Sequence, residues 1–395
     1  MYELIDQIER SLSDLDATNN TFIVGELDVP KDLFRYWDIV SQARELYRAK
    51  VSVNFSGAIS SLPSKHLSNI IHRWLEHISI GKTRALKIGA QSDGHTDHIV
   101  PTYFYFDVTD FEPTGLLDQD GNKFIKPLAM RVNKLPLFLE GPTRMLKTVS
   151  TPEALLIYKA VRNSSLRDEK LGMYTISSSL MSQSYELGRI VSFPPGWLEN
   201  QSVWTHMSYK FYLELLRNGL YEDFFSEMTG GGMLPFMQED VYGRSLTECS
   251  SFIASSSFED PSQIGRGFLA RLSGATSEFL SMWSVMMMGR QPFSIDPSSG
   301  ELRFRLLPAL PIWLFFNSTE DPSSDELIMR FKLFSSIDVT YHNTLRTDLF
   351  NIAPSRYDVR FTDGSTTTFD GEYIPSSAAI KIRRIVSVKS IDAYI

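Results

Sequence analysis

Beyond Pro292 the apolar residues change period, and no other feature constrains the fold of this chain as tightly. The segments ELRFRLL, DELIMRFKLF, IDVTYHNT, RYDVRFTDGSTTTF and IKIRRIVSVKSI alternate or are rich in β-branched residues, with turn signals at Asp363-Gly364 and Asp370-Gly371. Upstream the pattern is helical. Leu4, Ile5, Ile8, Leu12 and Leu15 recur at helical spacing, and 32–49 and 66–78 are further amphipathic stretches. Residues 102–111 partly alternate like a strand, and Asp120-Gly121 marks a turn. Helical pattern returns at 152–163 behind the Ser150–Thr151 cap signal, at 202–218 ahead of Gly219, and at 274–288 ahead of Gly289. Helices followed by strands predict a mainly α fold with a terminal β-module in segregated layers.

Charge and apolar content bound the function classes. A formal charge of −8 argues against a nucleic-acid partner, which would need a basic stripe to neutralise phosphates. No apolar run reaches the roughly 18 residues that span a bilayer, so no membrane partner is expected. The N-terminal stretch MYELIDQIERSLSDLD lacks the apolar region of a secretory signal, and Cys249 is the sole cysteine. A cytoplasmic protein is the expectation.

Several chemistries drop out on motif grounds. The chain has no P-loop, no GxSxG and no HExxH, and GGGM at 230–233 lacks the Lys and Ser/Thr of a phosphate loop. Asp93, His95, Asp97 and His98 are dense enough to consider as metal ligands, but such clusters are more often solvated turns, so no metal is expected. The informative segment runs from Gly188 to Phe225. Pro194-Pro195-Gly196 ends one element and forces a tight start to the next helix, placing Glu199, Asn200 and His206 in or beside its first turns. Exposed N–H groups there favour an anion, and a carboxylate beside an anion site suits sugar hydroxyls. The competing reading makes Glu199 a dipole-complementing residue and His206 a satisfied core histidine.

This segment resembles the glycoside phosphorylases of glycoside hydrolase family 94 and their relatives, the cellobiose and β-glucan phosphorylase group. The shared pattern stands here as Phe193, Pro195, Gly196, Glu199, Asn200 and His206. A second match covers Ala270 to Phe293, with Ser273 and Gly274 at the opening of a helix. The resemblance implies that Glu199 and Asn200 hold sugar and that His206, Ser273 and Gly274 hold phosphate. It offers Ser256 (or Ser255) as a further phosphate contact, and Arg266 and Arg271 are natural anion partners by the chemistry of the guanidinium group, although an Arg on a surface loop is usually just solvated. The resemblance implies a partial or complete (α/α)6 barrel over residues 1–315, with an irregular β-containing insertion near 100–145, and a small β-sandwich-like domain over 316–395. The implied reaction is inverting phosphorolysis of a β-linked disaccharide or oligosaccharide, with inorganic phosphate as co-substrate and no cofactor.

Leu198 replaces a Lys common in the group, and no DWND-like motif carrying the general acid is found. The expectation is therefore an incomplete catalyst that works with an N-terminal half or as a homo-oligomer. A hydrolase or transglycosylase on the same scaffold and a non-catalytic carbohydrate-binding subunit are the alternatives.

Overall fold

The structure is a computed structural model that describes residues 30–52, 57, 59, 61–90, 98–232, 238–244, 250–270, 273–317 and 326–395. The N-terminal helical pattern at 4–15 and three of the four metal-ligand candidates (Asp93, His95 and Asp97) lie outside these residues. His98, the fourth, sits exposed in a turn. Among the described residues no helix is long and apolar enough to cross a membrane. The chain forms two compact units, residues 1–142 and 143–395.

In the first unit, helices α1 (Pro30–Val51) and α2 (Ser64–Gly89) precede an antiparallel hairpin of β1 (Phe104–Leu117) and β2 (Lys123–Lys134). The Asp-Gly signal does form the hairpin turn. Gly121 has φ 83°, and Asp118 Oδ1 accepts the backbone N–H groups of Asp120 and Asn122 at 2.9 and 2.8 Å. The hairpin is exposed along β1 and the first part of β2, with Phe106, Phe111, Leu117 and Phe124 all in contact with solvent, while residues 127–130 and 132–134 of β2 are half-buried and the strand packs against α1.

The second unit opens with α3 (Thr151–Arg162), whose capping box is formed by Ser150 and Glu153. A short strand β3 (Val203–Trp204) leads into α4 (Thr205–Arg217), and α5 (Tyr221–Glu227) follows after Gly219. Strands β4 (Ser250–Ile253) and β5 (Gly267–Ala270) join β3 in a three-stranded antiparallel sheet with β4 in the middle. The 16-residue helix α6 (Ser273–Met288) comes next and packs along α4.

The C-terminal part is a six-stranded mixed sheet. Its strands are β6 (Phe316–Asn317), β7 (Leu327–Leu333), β8 (Ile337–Asn343), β9 (Arg356–Phe361), β10 (Thr366–Asp370) and β11 (Val388–Tyr394), with helix α7 (Ser376–Arg384) before the last. The order is β6-β7-β8-β11-β9-β10; β8 and β11 are parallel and every other pair is antiparallel. Burial alternates residue by residue along β8, as period-two patterning requires. Ile337, Val339, Tyr341, Tyr357, Val359 and Ile391 form one core with Ala378, Ala379 and Ile382 of α7 and Met287 of α6.

This architecture overturns the (α/α)6 barrel and the β-sandwich-like domain expected from the resemblance. A barrel needs a ring of paired helices, whereas the described helices of the second unit are interleaved with strands β3–β5. A sandwich needs two packed sheets, whereas here one mixed sheet is covered by a helix and shares its core with α6.

Candidate functional site

The loop from Phe193 to Trp204 is built by hydrogen bonds that converge from both sides of Glu199. Gly196 has φ 82°, and a β-carbon there would fall 2.4 Å from the backbone nitrogen of Phe258, so only glycine fits. Its N–H donates to the Asn200 carbonyl at 2.8 Å. Asn200 is fully buried; its amide nitrogen donates to the Phe193 carbonyl at 2.8 Å and its amide oxygen accepts the Leu180 N–H at 3.0 Å. Leu198 and Gln201, on either side, adopt left-handed φ values of 46° and 58°. The Leu198 carbonyl accepts the Trp204 indole N–H at 2.9 Å and the Ser202 hydroxyl. Ser177 donates its hydroxyl to the Glu199 carbonyl at 3.0 Å and accepts the Gln201 N–H at 3.2 Å.

What this wiring leaves over is the Glu199 side chain. One carboxylate oxygen lies 3.8 Å from the exposed guanidinium of Arg189, while Oε2 is buried and has no hydrogen-bond partner. A buried carboxylate oxygen without a donor is costly, and held by so constrained a loop it is a natural acceptor for a ligand hydroxyl. The sequence placed Glu199 and Asn200 in or beside the first turns of the helix; they precede it by several residues. Both polar atoms of the Asn200 amide, expected from the resemblance to hold sugar, are engaged in holding this loop.

The phosphate candidates divide in two. Strands β3 and β5 are both antiparallel to the intervening β4, so they run in the same direction and hand their chains to α4 and α6 at the same end of the sheet. The second residues of those helices are His206 and Gly274. They touch: a β-carbon on Gly274 would lie 3.2 Å from the His206 β-carbon. Ser273 opens α6 beside them, and the Trp204 indole packs edge-on against the His206 ring at 5.7 Å. Because the Trp204 indole also holds the Leu198 carbonyl, unbroken contact links the Glu199 loop to the His206–Gly274 pair.

Ser256 does not join them. Its N–H and hydroxyl both donate to the buried carboxylate of Asp168, at 2.7 and 2.8 Å. A hydroxyl committed to one anion beside that same charge is a poor donor to a second anion. Ser255 is buried; its N–H donates to the Gly196 carbonyl and its hydroxyl accepts the Ser257 N–H. Arg271 lies outside the described residues.

Sequence reading also missed a buried ionic hub. Glu227 accepts the phenols of Tyr158 and Tyr174, each at 2.8 Å, and forms an ion pair with Arg167, while Arg162 stands 3.8 Å away. Burial first, and then the Glu227 charge, push both phenols well above their ordinary range, so both stay protonated donors. Its members are 53 to 69 positions apart from Glu227 in the chain, so no local signal points to it.

Among the described residues no group of three or more His, Cys, Asp or Glu side chains has the geometry of a metal site. Compared with family models and with curated proteins, the chain matches none.

Proposed function

We propose that this chain carries the sugar- and phosphate-holding residues of a glycoside phosphorylase acting on a β-linked disaccharide or oligosaccharide. The observation that carries the reading is the meeting of His206 and Gly274 at the starts of two helices that leave one sheet side by side. The positive ends of both helix dipoles favour an oxyanion there. Gly274 lets it approach the backbone, and the imidazole adds a donor. Ser273, at the head of α6, is assigned to the same anion.

Glu199, held one loop away with an unpartnered carboxylate oxygen, accepts hydroxyls of the sugar whose anomeric carbon reacts. In the reaction the phosphate oxygen attacks that carbon as the glycosidic C–O bond breaks, and a general acid protonates the departing oxygen. A single displacement inverts the anomeric configuration. No residue is assigned to the acid, and inorganic phosphate is the only co-substrate the reaction requires.

Equilibrium binding of inorganic phosphate to the whole chain tests this. His206→Ala should weaken it by about 1.5–3 kcal/mol, roughly ten- to a hundredfold. Glu199→Gln should leave phosphate binding intact or improve it by removing a like charge, while weakening glucoside binding. Unchanged phosphate affinity in His206→Ala would remove the basis of the assignment.

A further inference from the structure

At the opposite ends of α4 and α6 lies a cleft of about 280 Å3 that the proposed reaction does not use. Arg217, Arg290, Tyr221, Asn351 and the Thr151 head of α3 line it, over an apolar floor that includes Leu216 and Val285, and none of its lining residues is acidic. Two helix C-termini would ordinarily present carbonyl oxygens to these cations. Here most of those carbonyls already have donors. The N–H groups of Asn218, Gly219 and Leu220 cover Glu214, Leu216 and Leu215, and those of Gly289 and Leu307 cover Val285 and Met288. The Tyr341 phenol donates to Met287 at 2.6 Å.

Charge is in surplus at this place. Glu214, itself buried, is shared between Arg217 at 2.8 Å and Lys147 at 3.7 Å. Arg290 makes no ion pair or hydrogen bond among the described residues. Two guanidinium groups, Arg217 and Arg290, therefore face a concave, partly apolar surface with no acidic lining residue, and the one carboxylate paired with Arg217 is shared with Lys147. Asn351 accepts the Tyr221 phenol through its amide oxygen at 2.6 Å, which turns the amide nitrogen into a free donor beside them.

We infer that this cleft binds a small phosphate monoester through Arg290 and Arg217. A phosphomonoester carries a charge of about −1.5 to −2 at neutral pH, which matches the surplus, and guanidinium groups bind it in bidentate fashion. The volume is just below the roughly 300–1,000 Å3 of drug-sized ligand sites, so the occupant is no larger than a phosphorylated monosaccharide. The apolar floor and the Tyr221 ring, stacked on Phe350 at 5.1 Å, give the uncharged body of that ligand a surface to lie on.

The test is calorimetric titration of the whole chain with glucose 6-phosphate as probe. Arg290→Gln, at an exposed position where the fold has nothing to lose, should weaken binding roughly tenfold or more, the range for hydrogen bonds to a charged group. His206→Ala should leave it unchanged, and unphosphorylated glucose should not displace the ester. Wild-type affinity in both Arg290→Gln and Arg217→Gln would overturn the assignment. So would loss of binding in His206→Ala alone, which places the ester at the other end of the helices. Inorganic phosphate binding to the His206→Ala chain as tightly as glucose 6-phosphate does would overturn the ester specificity. The two sites fail separately, since His206→Ala reads one and Arg290→Gln the other.

Discussion

The hairpin β1–β2 and the six-stranded sheet are built from similar residues and differ in what covers them. On the hairpin, Phe111 is 53% and Leu117 59% exposed, and Lys126 pairs with Glu112 in full contact with water. In the sheet, Tyr341, Tyr357, Val359 and Ile391 are wholly buried, and α7 closes their face. Alternation alone makes a strand. A strand is strongly stabilised only when a second layer takes up one of its faces, since a lone two-stranded ribbon is marginal in water. Substitutions should therefore separate the two regions sharply. Ile391→Ala should cost about 2–5 kcal/mol by denaturant unfolding, through lost burial and the cavity left behind. Phe111→Ala should fall within about 0.5 kcal/mol, as surface changes do. Comparable costs would mean that the hairpin's aromatic face is covered in solution.

The same contrast holds for charges. The exposed Lys126–Glu112 pair is screened by solvent, whereas Glu227 has its ion pair and its phenol donors inside the protein. Arg167→Met removes the guanidinium paired directly with Glu227, leaving its carboxylate with two phenols and the more distant Arg162, at an expected cost of about 3–5 kcal/mol. Lys126→Met should do nothing measurable. Equal, small effects would show that water reaches Glu227. Between these extremes lies Asn200→Ala, which leaves the Phe193 carbonyl and Leu180 N–H without their partner and should cost about 1–3 kcal/mol. It should also loosen Glu199, so sugar affinity should fall in step with stability.

How much of this was legible in the sequence follows from the range of the forces involved. Helix starts and stops are local: Ser150, Glu153, Gly219 and Gly289 act within a turn of where they stand, and their elements lie where the pattern put them. Alternation is local too, so β7, β8 and β9 were readable one at a time. Their order was not, because the parallel pairing of β8 with β11 depends on a crossover through β9, β10 and α7. The barrel failed for a related reason, since helical pattern says nothing about whether helices close into a ring. At the site, His206 and Gly274 each read as residues at a helix start, and their contact needs the short strands β3, β4 and β5, which are only two to four residues long. Ser177 and Asp168 could not be nominated, because their partners lie 22 to 88 positions away.

The finest test of the contrast is a pH dependence that the sheet has and the hairpin lacks. His342 on β8 sits between Asp392 on β11 at 3.2 Å and Glu326 at 3.1 Å, with the Tyr394 ring stacked on it at 4.4 Å. Burial works to lower its pKa, but the hydrogen bond to Asp392, the ion pair with Glu326 and the charges of both outweigh it, so the native value lies above the ordinary one. A proton held more tightly in the folded chain stabilises it. That contribution is complete below the unfolded pKa of about 6.5 and fades as pH rises through the higher native value. His342→Gln should therefore lose most stability relative to wild type in mildly acidic buffer, with the gap closing as the pH is raised. The effect should be smaller than any core substitution above. The exposed hairpin pair of Lys126 and Glu112 contains no histidine, so Lys126→Met should give a flat difference across the same range. A gap for His342→Gln that widens with rising pH would mean the imidazole is neutral in the sheet, and the clamp joining β8 to β11 would have to be an uncharged hydrogen bond.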